Sequence, residues 1–143
     1  MIDSRTAPYA ALVLRVTLGV MFIAHSLVLK YFMYTLPGTA QFFESIGLPG
    51  ALAYLTFWAE LLGGIALVAG FATRWVSLAL IPILLGATWV HLGNGWVFSG
   101  ANGGWEYPVF LIAVSLVQAL LGDGAYALSR VFFSSNLQPR LQS

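Results

Sequence analysis

Of 143 residues, 59% are hydrophobic and only 8% charged, the net charge is +1, and there is no cysteine. Soluble domains carry about 25% charged residues, so this chain has too few polar side chains to clothe a water-soluble globule, and its charge offers nothing for nucleic acid to hold. Without cysteine, thiol, disulfide, iron–sulfur and thiolate-metal chemistry are excluded within the chain.

A mean hydropathy of +0.86 makes lipid the main solvent, and the length fits a single domain covering residues 1–143. A bilayer core about 30 Å thick needs roughly 20 apolar residues per spanning helix. Four runs meet or approach this. The first, residues 8–29, is too long for a signal-peptide core, carries Arg15 inside it and shows no A-x-A site, so it reads as a retained span. Residues 31–48, punctuated by Pro37 and Gly38, read as a loop. The second span, residues 49–72, contains Glu60 and ends in the tight turn "FATRW". The third and fourth spans, residues 75–90 and 107–122, are shorter and are separated by a glycine-rich loop, and residues 129–143 form a tail in which Phe132 and Phe133 suit an interface. The expected fold is therefore all-α, a four-transmembrane-helix bundle.

Lys and Arg in short flanks favour the cytoplasmic side. Arg5, Arg74, Arg130 and Arg140 fall on one side and Lys30 alone on the other, which predicts both termini in the cytoplasm and loops 31–48 and 91–106 facing outward.

Depth and direction then place the ionisable residues. Side chains on a helix lean toward its N-terminus. Helix one starts inside, so His25 leans toward the midplane and Arg15 away from it, while helix two starts outside and Glu60 leans up. His25 is thus the expected partner of Glu60. Thr56, Phe57, Gly63 and Gly64 flank Glu60 at helical spacing, and small residues permit close helix approach in membranes, so Glu60 should face the bundle interior. An ionisable group at this depth is a functional candidate; a structural lock between helices one and two is the competing reading. At the outer end, His91, Asn94 and Glu106 gather with Trp89, Trp96, Trp105 and Tyr107. These aromatics fit an interfacial belt, and Lys30 fits a snorkelling interface lysine.

The order of Arg15, "GVMFIAHSLVLK" (19–30), "AELLGGIALVAGFATR" (59–74), "HLGNGW" (91–96), "GGWEYPVFLI" (103–112) and "GDGAY" (122–126) resembles the DoxX family of small four-helix membrane proteins. One departure is Ser26, where the family usually has glycine after the histidine. The resemblance implies a membrane subunit of a redox system in a bacterial inner membrane. Its polar positions would be Arg15, His25, Lys30, Glu60, Arg74, His91 and Glu106.

Three function classes follow. In the first, His25 and Glu60 accept the protons of a quinone in a slot lined by Phe22, Phe57 and Trp58, with Arg15, His91 and Glu106 as further ligand-binding groups. No flavin or nucleotide fingerprint occurs in the sequence, so no cofactor is intrinsic and a soluble redox partner would have to exchange the electrons. The second class is a non-catalytic anchor or assembly subunit. The third is a binding or transport protein for a small molecule or proton; metal and haem are disfavoured because no motif such as HxxxH joins the histidines. The small-residue faces leave a homodimer open.

Overall fold

The computed structural model describes residues 3–134, except for the side chains of residues 132–134. Helix α1, Ala7–Ile23, opens with a proline in its first turn, where the missing N–H would have had no partner. It continues unbroken into a π-helical segment, Ala24–Met33. Short helix α2, Leu36–Ser45, follows, then α3, Ala51–Ala69, and α4, Thr73–His91, which ends in a 3-10 turn, Leu92–Asn94. Helix α5, Glu106–Leu121, and α6, Leu128–Ser134, complete the chain, and the described residues contain no strand. Three rods, Ala7–Met33, Ala51–Ala69 and Thr73–Asn94, are long and apolar enough to cross a membrane, and α5 is a shorter apolar fourth. The protein is an all-helical integral membrane protein.

The tightest pairings are α1 with α3 and α4 with α5. The first depends on glycine. A Cβ at Gly19 would stand 2.6 Å from the Gly64 carbonyl oxygen, and one at Gly64 would stand 2.8 Å from that of Gly19. The two backbones therefore touch, as small residues allow in membranes. Gly63 serves the contact of α3 with α4, where Leu80 fills the space. Around this crossing Leu18, Phe22, Leu67, Leu80, Leu84 and Leu111 form one buried cluster. Trp75 and Leu120 stand outside it, 72% and 81% exposed, as lipid-facing side chains should.

Two elements differ from the sequence reading. Residues 31–48 are not simply a loop, because the π segment runs to Met33 and α2 begins at Leu36. Pro37 and Gly38 suggest a turn, yet proline is well tolerated in the first turn of a helix, and the Thr35 side chain caps that turn by accepting the Gly38 N–H at 3.2 Å. At the other end, part of the expected tail is helix α6; the interface role of Phe132 and Phe133 and the placement of Arg140 lie outside the described residues. The two ends meet, with Ala125 N–H donating to the Pro8 carbonyl at 2.8 Å. This end of the bundle is called the terminal side below.

Candidate functional site

Glu60 lies midway along α3 and is 5% exposed. Its Oε2 accepts from Lys30 Nζ at 2.6 Å. Lys30 belongs to the π segment and leans back toward the N-terminus of its own helix, while Glu60 leans toward the N-terminus of α3, so the two converge. At α-helical winding, His25 and Lys30 would be about 140° apart. Rings closed five residues along bring residues five apart toward one face, which turns Lys30 inward with His25. Helix α2 packs over this end of the π segment, where the Thr39 hydroxyl lies 2.9 Å from the Thr35 carbonyl and 3.4 Å from that of Lys30.

The expected Glu60–His25 pair is replaced by Glu60–Lys30, with His25 as a further electrostatic neighbour of Glu60. Lys30 is thus not an interfacial lysine with its ammonium in water. His25 Nδ1 stands 2.9 Å from the Met21 carbonyl oxygen. A carbonyl only accepts, so this contact assigns a proton to Nδ1. The imidazole stacks on Tyr107 of α5, with centroids 6.1 Å apart and planes at 22°.

The remaining candidates divide by position. Phe22 is in the buried leucine cluster. Phe57 is also buried, its ring 6.1 Å from that of Tyr31, whereas Trp58 is 53% exposed and turned outward. His91 and Glu106 organise the loop between α4 and α5 and do not reach Glu60. Asn94 Nδ2 lies 3.3 Å from His91 Nδ1 and donates to the Asn102 carbonyl at 2.9 Å, and Glu106 Oε1 accepts the Phe98 N–H at 2.9 Å. Trp96 and Trp105 close the loop edge to face at 4.4 Å. Gly104 is required there, since a Cβ would fall 2.3 Å from the Trp96 carbonyl oxygen. Against this loop runs a largely apolar groove of about 430 Å³ lined by Trp96, Phe98, Glu106, Tyr107 and Phe110. Tyr107 therefore belongs both to the groove and to the His25 stack. Among the described residues no three His, Asp or Glu side chains converge as metal ligands.

Arg15 lies on the terminal side, 1% exposed. Its guanidinium donates to the carbonyls of Leu67 at 3.0 Å, Val68, Ala125 at 2.9 Å and Tyr126 at 3.3 Å. It thereby caps the last turn of α3, where free carbonyls carry partial negative charge, and binds the segment after α5 to it. Asp123, which sequence reasoning missed, completes this clasp by accepting from the Thr73 N–H at 3.0 Å and the Ser129 hydroxyl at 2.6 Å. Burial pushes its pKa up, but hydrogen bonds from Ser129 and Thr73 and the Arg15 charge outweigh that, and the net shift is downward.

This arrangement can be set beside known proteins. The DoxX family model matches residues 10–93. The chain belongs to the DoxX family. A protein of Bacillus subtilis (strain 168) named "Putative oxidoreductase CatD" is 37% identical over 122 residues, covering 85% of this chain and 86% of that one. No solved structure matches. The DoxX match holds Arg15, His25, Lys30, Glu60 and His91, and ends before Glu106, Tyr107 and Asp123. In this DoxX protein the Tyr107 ring that stacks on His25 thus comes from α5, beyond the matched region.

Proposed function

We infer that this protein is a membrane subunit of a redox system, in which α5 completes a four-span bundle and the Lys30–Glu60–His25 cluster handles the protons of a lipid-soluble quinone. The observation that carries this reading is the buried Lys30–Glu60 pair with the His25 imidazole, fixed through Nδ1, as its neighbour. Oxidation of a hydroquinone releases protons together with electrons. An acceptor within reach of the ring hydroxyls lowers the barrier to that release, and Glu60 and His25 would supply acceptors here. The groove beside Tyr107 offers apolar surface for the ring and tail. Electrons pass to or from a soluble partner, because the chain has neither cysteine nor a nucleotide-binding fingerprint. A relative named as an oxidoreductase supports the redox class. The arginine distribution supports a cytoplasmic terminal side in a bacterial inner membrane.

Solvent extraction of protein purified in mild detergent tests the reading. Quinone should co-purify with the native chain and be depleted at least fivefold in His25→Ala and Glu60→Gln. Full retention in folded variants would remove the cluster from quinone binding. A specific observation favours a second reading, a non-catalytic anchor or assembly subunit: an ion pair neutralises Glu60, and such a pair can serve as polar glue alone. In that case both variants lose thermal stability with no change in any bound species.

A further inference from the structure

Arg15 Nε, Ser77 Oγ, Ser115 Oγ and Gln118 Oε1 all lack a hydrogen-bond partner, in residues that are 0–1% exposed. They stand on the terminal side of leucines of the buried cluster. Leu18, Leu80 and Leu111 belong to the buried leucine cluster. One helical turn from each toward the terminal side stand Arg15 on α1, Ser77 on α4 and Ser115 on α5, and Gln118 follows one turn beyond Ser115. Residues three or four apart share a helix face, so each polar residue lies on the face that its leucine turns to the cluster. Three helices thus each place a buried, unpartnered polar atom one turn to the terminal side of a cluster leucine.

Buried polar atoms without partners are expensive, and lipid offers them nothing. The chemistry of the set selects what satisfies it. Arg15 Nε–H can only donate, the Gln118 carbonyl oxygen can only accept, and the two hydroxyls do either. An anion would suit Arg15 but repel Gln118 Oε1. A cation would suit Gln118 but repel Arg15. Water satisfies all four, and buried water typically bonds to groups of this kind.

We propose that Arg15, Ser77, Ser115 and Gln118 form an internal water site, a hydrated compartment that ends at the Leu18–Leu80–Leu111 layer. It joins the terminal-side surface through half-buried Asp123, next to Gly122, whose carbonyl accepts from Gln118 Nε2 at 2.8 Å. The Lys30–Glu60 cluster lies across the leucine layer. The protein then has two polar compartments with a dry septum between them, and the Lys30–Glu60 cluster exchanges protons only with the side remote from the chain ends. This holds whatever ligand the Lys30–Glu60 cluster takes.

Water-edited solid-state NMR on the native chain in bilayers tests the proposal. Polarisation should pass from water to Ser77, Ser115 and Gln118 as fast as to Asp123, and several-fold more slowly to Leu80 and Leu84. Transfer to both serines as slow as to those leucines would overturn it. Ser77→Ala and Ser115→Ala give a second reading: losing a hydroxyl that bridges to water lowers the melting temperature, whereas losing a dry, unpartnered hydroxyl leaves it unchanged or raises it. An unchanged or raised value in both variants would also overturn the proposal.

Discussion

Lys30 Nζ and Glu60 Oε2 are 2.6 Å apart, with side chains 16% and 7% exposed. Charges so placed depend on each other. Removing one partner of a buried pair costs about 3–5 kcal/mol, because the other charge is left uncompensated. Lys30→Met and Glu60→Gln should each lower the melting temperature in nanodiscs, and the double variant should recover most of the loss. A double variant as unstable as the two losses added together would show that the charges do not hold each other.

The α1–α3 crossing makes the second prediction, one of sign. An alanine methyl at Gly19 meets the Gly64 carbonyl oxygen at 2.6 Å, and neither backbone can yield without parting the helices. Overpacking of this kind costs about 1–3 kcal/mol. A methyl at Gly86, also within a helix, meets nothing within 4 Å, so Gly86→Ala should be neutral or gain up to about 1 kcal/mol from helix propensity. The melting temperature should fall in Gly19→Ala and not in Gly86→Ala; equal shifts would show that the crossing has slack.

Arg15 supplies the third. It holds four carbonyls from two separate segments with one planar, five-donor group. Lysine concentrates its donors at a single point and cannot span that set. Arg15→Lys should therefore destabilise the fold by about 2 kcal/mol or more, in the range of lost bonds to charged groups, and should loosen the link between α5 and α6. Limited proteolysis checks the second effect: cleavage after residues 122–127 should accelerate in the variant and not in Arg5→Lys, whose side chain is exposed. Unchanged cleavage would mean that the clasp closes without the guanidinium.

What the sequence revealed and what it hid have distinct physical causes. The apolar runs are legible because lipid imposes length and hydropathy on every spanning helix. The inward turn of Glu60 is legible because Gly63 and Gly64 share its face, and both glycines do lie at helix contacts. Lys30 was hidden because its inward turn depends on π winding, which nothing in "AHSLVLKYFM" marks and which an α-helical wheel misplaces. Helix α2 was hidden by a proline that signals a turn and equally suits a first helical turn. The partners of Arg15 lie 52 to 111 residues away along the chain, so no local spacing could disclose them. Direction gave the right answer for both Arg15 and Glu60: one leans to the terminal side and the other away from it. It could not choose between His25 and the longer Lys30.

Asp123 gives the last prediction, on pH. Its carboxylate receives the Thr73 N–H at the start of α4 and the Ser129 hydroxyl in α6, and its pKa is held below the ordinary 3.8. A carboxylate depressed on folding contributes stability in full above its unfolded pKa. That contribution is lost as pH falls below 3.8 and through the folded value. Asp123→Asn keeps the shape but loses the charge and one of the two acceptor oxygens, so it should cost about 1.5–3 kcal/mol at neutral pH, the worth of a hydrogen bond to a charged group. The gap between native protein and variant should then close on acidification below 3.8. Denaturation at pH 7, 5, 4 and 3 measures that gap. A constant difference across the series would mean that hydrogen-bond geometry, and not the ionised state of Asp123, holds α4 and α6 together.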